Sequence, residues 1–190
     1  MADVFLETDR LVLRRFTESD VDNLVALDGD PEVMRYLTGG VPTPREQVEL
    51  EDLPRILGYY ERLGGLGLWV AEDRAGTFLG WFSLRPRQVD PPKQVELGYR
   101  LTRAAWGQGH ATEGSKALMH KGFTEFGVER IYALTMVVNA RSRRVMEKCG
   151  LAQVRIFHEE LPREMEGIEG IEHGGVEYAL TRAEWEAQRS

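Results

Sequence analysis

The 190-residue chain predicts a mixed α/β (α+β) fold, with one layer of central sheet of about seven strands and helices on both faces. Three observations predict it. Seven runs carry the alternating or β-branched and aromatic pattern of strands. Helical segments bounded by caps and glycines lie between them. The middle of the chain runs strand, loop, helix, strand, helix, strand, an order that favours local parallel pairing.

Residues 10–16 (RLVLRRF) alternate and give the first strand. Thr17 opens TESD, an N-cap followed by acids, and Val21, Leu24, Val25 and Leu27 form one apolar helical face down to Gly29. A short helix follows Pro31 and stops at Gly39 and Gly40. Thr43-Pro44 opens another, which Pro54 interrupts or restarts and which ends before Gly64. Strands follow at 67–72, 78–84 and 94–101, the first two joined by the tight turn DRAG and the last two by the proline-rich RPRQVDPPK. From Ala111, the spacing of Leu118, Met119, Phe123 and Phe126 marks a helix stopped at Gly127. A strand at 130–138 precedes a helix running from Asn139 to Gly150. Strands at 151–159 and 176–181 and a short helix at 182–188 complete the order. No repeat or linker divides it, so residues 1–190 are expected to form a single domain.

Composition narrows the function. Apolar residues at 42% and charged residues at 29% read as an ordinary globular protein. No apolar run approaches the roughly 20 residues of a membrane span, and MADVFLETDR lacks the basic-then-apolar layout of a signal peptide. A cytoplasmic protein with no membrane partner is expected. The single Cys149 excludes an internal disulfide and a cysteine-cluster metal site, and the four histidines have no ligand spacing, so no metal is expected. A net charge of −7 argues against nucleic acid. Charge is nonetheless uneven. Segments 100–121 and 141–148 are net basic and suit an anion, whereas 158–177 holds seven acids against one arginine and suits a cation. Each is also consistent with an ordinary solvated face.

Trp106–Gly114 (WGQGHATEG) is the most informative stretch. A strand runs into two glycines one residue apart and then into a helix start. The first amides of a helix have no intrahelical partner and the helix dipole favours negative charge there, so such a loop can cradle a phosphate. Gly107 and Gly109 remove side chains that would block the approach. A capping turn without a ligand explains the same pattern. The loop lacks both the Lys-Ser/Thr of a Walker loop and the third glycine of the dinucleotide fingerprint.

YRLTRAAWGQGHATEGSKAL followed by NARSRRVMEKCGL resembles the GNAT acetyltransferase superfamily. Glu96-Leu97-Gly98-Tyr99 before the loop, the opening TDRLVLRRFTESDVDNL, and Tyr178-Ala179-Leu180 through Trp185 resemble its RimJ/RimL-like branch, the ribosomal-protein N-terminal acetyltransferase type. The resemblance implies a mostly antiparallel sheet. It implies acetyl-CoA as co-substrate, its pyrophosphate held by backbone amides of Gly107, Gln108, Gly109, His110, Ala111 and Thr112, and its pantetheine paired with the strand edge at Arg100, Leu101 and Thr102. Asn139 would bond the pantetheine arm and Ser142 would sit near the thioester sulfur. Trp106 stands where the superfamily signature has Gln or Arg, and Met146 where many members have a tyrosine acid. Members of the branch are sometimes dimers, so a homodimer is an expectation by analogy.

The implied activity is N-acetylation of a primary amine, either a protein N-terminus or a small cationic amine, by direct attack in a ternary complex. A lysine-like amine is only about one part in a few thousand neutral at pH 7, so a general base helps. Glu96 is the candidate base, directly or through water, against the alternative of a solvated strand carboxylate. Ser142 is the candidate hydrogen-bond donor to sulfur, against a helix-surface serine, and Asn139 also suits a plain N-cap. Backbone amides near Tyr99–Leu101 are placed to polarise the carbonyl. Cys149 reads as a small buried residue and His110 as an exposed spacer. Tyr36, Trp69, Trp81 and Phe157 are slot candidates that equally suit a core. The rival readings are a catalytically inactive acyl-CoA-binding sensor or scaffold, and a nucleotide-binding module.

Overall fold

The computed structural model describes residues 3–88, 90–158 and 165–190. Among these residues, eight strands form one open sheet in the order β1-β2-β3-β4-β5-β6-β8-β7. They are β1 (Val4–Glu7), β2 (Leu11–Arg15), β3 (Gly67–Asp73), β4 (Phe78–Arg85), β5 (Gln94–Leu101), β6 (Arg130–Met136), β7 (Ala152–Phe157) and β8 (Gly175–Thr181). The sheet is antiparallel except between β5 and β6, which the helical crossover α5 (His110–Glu125) joins in parallel. The mixed, mostly antiparallel sheet is therefore as expected, with one more strand. β1 is only four residues long, too short to show a period, and its place comes from Phe5 stacking on Trp69 at 4.1 Å. The last two strands are also close to expectation, although Glu159 of the expected 151–159 run lies outside the described residues.

Helices cover both faces. On one, α5 presses on β4 and β6. A Cβ on Gly114 would collide with the Phe82 ring, and one on Gly122 would come within 2.7 Å of Leu84. These small positions let Leu118, Met119 and Phe123 bury fully, each contributing roughly 1.5–3 kcal/mol. The other face holds α1 (Val21–Gly29), α2 (Pro31–Thr38) and α3 (Arg45–Gln47), the last running on through a widened turn at Val48–Asp52 into α4 (Leu53–Arg62). Leu24, Val48, Leu53 and Ile56 pack there with Phe16, Leu68 and Val70 of the sheet side. Pro54 does not stop this helix. It lacks an N–H and its ring crowds the carbonyl four residues back, and the wide turn just before it relieves both.

Two later helices complete the frame. Asn139 caps α6 (Ala140–Lys148), its side-chain oxygen accepting from the Ser142 amide at 3.2 Å. Thr181 and Glu184 form the capping box of α7 (Arg182–Ala187). Among the described residues, no helix is long and apolar enough to cross a membrane.

Candidate active site

The site is a parting in the sheet. β4 and β5 pair over their full length, from Gly80↔Leu101 to Arg85↔Glu96, and β6 and β8 do so from Arg130↔Thr181 to Met136↔Gly175. β5 and β6 share only three rungs, the last being Glu96↔Tyr132. Beyond it they diverge. The Thr102 amide donates to Leu79 O of the β4 side at 2.9 Å, and successive strand residues point their polar groups in opposite directions. Tyr99 and Leu101 therefore turn theirs into the opening.

This corrects the expected edge at Arg100–Thr102. Only Leu101 of the three faces the opening; Arg100 and Thr102 are turned to β4, as the two-residue period requires. The Arg100 side chain leaves on the far face, where it binds Asp28 of α1 at 2.6 Å and lies over the Trp81 ring at 5.2 Å.

The glycine loop lies between the end of β5 and α5. Gly107 and Gly109 have φ of +72° and +84°, a region that favours glycine, and Gly109 is the N-cap of α5. Open space surrounds the position of a Gly107 Cβ. Trp106 stitches the loop to the strand: its indole Nε1 donates to Leu101 O at 2.9 Å, and the Arg141 guanidinium lies 5.0 Å over its ring. The Gln108 side chain donates to Ala104 O at 2.6 Å. Arg10 reaches the loop from the start of β2, donating from Nη1 to Gln108 O at 2.8 Å and from Nε to Glu113 at 2.6 Å. Thr8 donates to the same carboxylate at 2.6 Å.

His110 is not an exposed spacer. It is 8% exposed, and its Nδ1 has no hydrogen-bond partner in the protein. The reason is helical: positions 110, 114, 118 and 122 form one buried stripe of α5, so the first residue is drawn under the loop with the rest.

Glu96 stands on the last shared rung, on the α1 side of the sheet, with Arg85 as its cross-strand partner. Burial pushes its carboxyl above the ordinary value, against the pull of Arg87 and Arg85 and with Asp90 adding to the rise. The Arg87 guanidinium is 3.8 Å away. Neighbouring Tyr132 donates to the Asp90 carboxylate at 2.9 Å.

Ser142 lies on the opposite side. Its hydroxyl is 2.9 Å from that of Tyr99, whose ring is on the α5 face beside Phe82. The structure thus brings Ser142 to Tyr99 and leaves Glu96 and Ser142 on opposite faces of the parting. Tyr99 is a site residue that the sequence reading used only for its backbone. The signal was present, because a residue three after Glu96 on a strand must point to the other face.

Met146 is 3% exposed in the core, so no acid stands there. Cys149 is 6% exposed, and burial pushes its thiol up to about 11, which leaves it a packing residue. Of the four aromatic candidates, Trp69 is wholly buried against Phe5, Trp81 lies under Arg100, and Phe157 rests against Gly175. Tyr36 lines a cavity, together with Val138, Glu169, Gly170, Glu172 and His173 near the end of β6. Arg35 pairs with Glu169 at 2.8 Å beside it.

A sheet parted between its parallel strands, above a glycine loop and a helix start, is the architecture of an acyltransferase. The chain belongs to the GNAT acetyltransferase family: the family model described as Acetyltransferase (GNAT) domain matches residues 10–152. It is an N-acetyltransferase. The chain is 34% identical over 187 residues to the FsC-acetyl coenzyme A-N(2)-transacetylase of Aspergillus fumigatus, covering 95% of this chain and 77% of that one. Two solved structures at 19% identity share the fold. One is the spermidine N-acetyltransferase of Vibrio cholerae with CoA and spermine, with a TM-score of 0.75 over 94% of this chain and 99% of that one. The other is RimL, a ribosomal L7/L12 alpha-N-protein acetyltransferase with CoA, also at 0.75, over 94% and 98%.

Proposed function

We propose that the protein transfers the acetyl group of acetyl-CoA to a primary amine, a protein N-terminal α-amine or a small cationic amine, by direct attack in a ternary complex. The observation that carries this is the parting of β5 from β6 beside the start of α5, a slot whose wall offers the polar groups of Tyr99 and the amide of Leu101 and whose end is a glycine loop. The residues fit the co-substrate. Gly107–Thr112 present backbone amides to a pyrophosphate at the positive end of a 16-residue helix. The Tyr99 and Leu101 edge pairs with the amides of the pantetheine arm as an added strand would. Asn139 serves as helix cap next to Ser142 and in this reading bonds the pantetheine arm.

Within that frame Glu96 removes the proton from the attacking amine. Its raised pKa brings it nearer the operating pH, where a general base works best. Ser142 bonds the sulfur as negative charge develops on it. The Tyr36 cavity, with Glu172 on its wall besides the Arg35-paired Glu169, favours an acceptor with positive charge beyond the reacting amine. The A. fumigatus relative, named as an N(2)-transacetylase, supports an amine acceptor.

The test is a panel of α-amine peptides, polyamines, aminoglycosides and neutral amines, incubated with enzyme and acetyl-CoA, with free thiol as readout. Turnover favouring cationic amines is expected. Preference for neutral or acidic acceptors overturns the acceptor assignment, and tight acetyl-CoA binding without turnover on any amine selects a sensor or scaffold instead.

A further inference from the structure

We propose that Tyr99 is a positioning residue for acetyl transfer, acting through the hydroxyl of Ser142. This rests on the placement of Ser142 at the thioester sulfur. Tyr99 belongs to β5 and Ser142 to the first turn of α6, so their hydroxyls meet at 2.9 Å across the opening that the parted strands leave. The other contact of the phenol, to Ser142 O, is 3.4 Å and cannot compete. Both partners are held in place. The Ser142 amide is bonded to Asn139, and the Tyr99 ring is set against Phe82, 6.1 Å between centroids.

A serine hydroxyl has one proton. If Ser142 donates it to Tyr99, none is left for the sulfur. If Tyr99 donates, the Ser142 proton is free to point into the slot and is polarised for it. The second arrangement is favoured because a phenol is a stronger acid than an aliphatic hydroxyl and so the better donor of the two, and the Tyr99 phenol, which burial pushes up to about 12, stays protonated through the neutral range. For the same reason Tyr99 does not itself supply the proton: an ordinary thiol, near 8.5, is the stronger acid by far. In the transfer a C–N bond forms, the C–S bond breaks with its electron pair leaving on sulfur, and the amine loses one proton to Glu96. Solvent returns one proton to the thiolate. The Tyr99–Ser142 pair holds a donor aimed at that charge while it develops. A phenol is thus supplied from the strand, although the helical position where many relatives place one is occupied by the buried Met146.

Tyr99→Phe keeps the ring and removes the hydroxyl. On the best amine of the panel, kcat is expected to fall about 5- to 10-fold, the worth of one hydrogen bond, with KM for acetyl-CoA and CoA affinity by calorimetry within about twofold. Ser142→Ala should lose at least as much, and the double variant should match Ser142→Ala alone, because the first residue acts through the second. Wild-type kcat in Tyr99→Phe, or losses that multiply in the double variant, overturns the proposal. A packing role would instead lower melting temperature and CoA affinity together with kcat, and that result also overturns it. Should the wild-type enzyme turn over no amine, the transferase reading itself fails and this proposal with it.

Discussion

Arg10 grips Glu113 across 103 residues of sequence, through its backbone amide at 3.0 Å and its Nε at 2.6 Å, while its Nη1 holds the Gln108 carbonyl at 2.8 Å. The edge of the sheet is thereby clamped to the glycine loop. The clamp also has an electrostatic task. Glu113 is in the first turn of α5, where a bare carboxylate would oppose a bound pyrophosphate. Burial alone would raise this carboxyl, but Thr8 and Arg10 outweigh it and hold it below the ordinary value.

Arg10→Ala should therefore weaken CoA binding about 5- to 10-fold, a modest figure because the guanidinium is 47% exposed and screened by solvent. kcat should change less than about threefold, since no reacting group is touched. Adding Glu113→Gln should recover part of the affinity by removing the stranded charge. Calorimetry with CoA reads both, and unchanged affinity in Arg10→Ala would show that the loop holds its shape unaided.

Gly109→Glu should abolish CoA binding while leaving a folded protein. The substitution puts a side chain and a negative charge into the loop at φ +84°, which costs about 1–2 kcal/mol of backbone strain. A melting curve shifted by several degrees with no detectable CoA binding is expected. CoA affinity equal to wild type would defeat the loop assignment.

Glu96→Gln should lower kcat by about 10²–10³, within the range for loss of a general base. The raised pKa gives the pH dependence. Wild-type activity should climb as pH rises through a value above the usual carboxylate range, and that acid limb should vanish in the variant. Stability should move the other way. A group whose folded pKa is raised favours folding below its unfolded pKa and loses that contribution as pH rises, so at pH 7 Glu96→Gln should raise the melting temperature. A variant unchanged in both rate and stability at pH 7 would return Glu96 to the role of a solvated strand carboxylate.

Asp20 gives a prediction with the opposite sign. Burial would raise its carboxyl, but the Arg14 guanidinium at 2.9 Å, the Thr17 amide and the Asn23 side chain together hold it low. Its contribution to stability is therefore complete above the ordinary carboxylate pKa and lost as pH falls through the lower folded value. Asp20→Asn should cost about 1.5–3 kcal/mol at pH 7, because it removes one of the two carboxylates on the largely buried Arg14 and leaves it to Glu72 at 2.7 Å, and the difference from wild type should shrink as pH approaches 3. Urea titrations at pH 7 and pH 3 measure it, and a cost independent of pH would remove the ion pair from the explanation.

The local signals in the sequence proved dependable wherever the responsible chemistry is itself local. Asn139 caps α6, Thr181 and Glu184 cap α7, and Gly109 starts α5 within one residue of the expected helix. Where the outcome depended on a partner distant in the chain, the sequence was less informative. β1 is a strand because β2 and Trp69 receive it, and His110 is buried because the stripe it begins lies against the sheet.

The candidate site divides in the same way. A glycine loop, the helix start behind it and the strand ahead of it are contiguous, so backbone sterics and helix electrostatics determine an anion cradle at Gly107–Thr112 from the residues alone. Contiguity carries no information about how far two strands stay paired. That β5 and β6 part after Glu96 and Tyr132, that Tyr99 then faces Ser142 while Glu96 lies on the opposite face beside Arg85 and Arg87, and that Arg10 reaches Glu113, were settled only when the sheet assembled. Register and strand parity are set by packing summed over the whole sheet, and they decide which side chains meet at the opening.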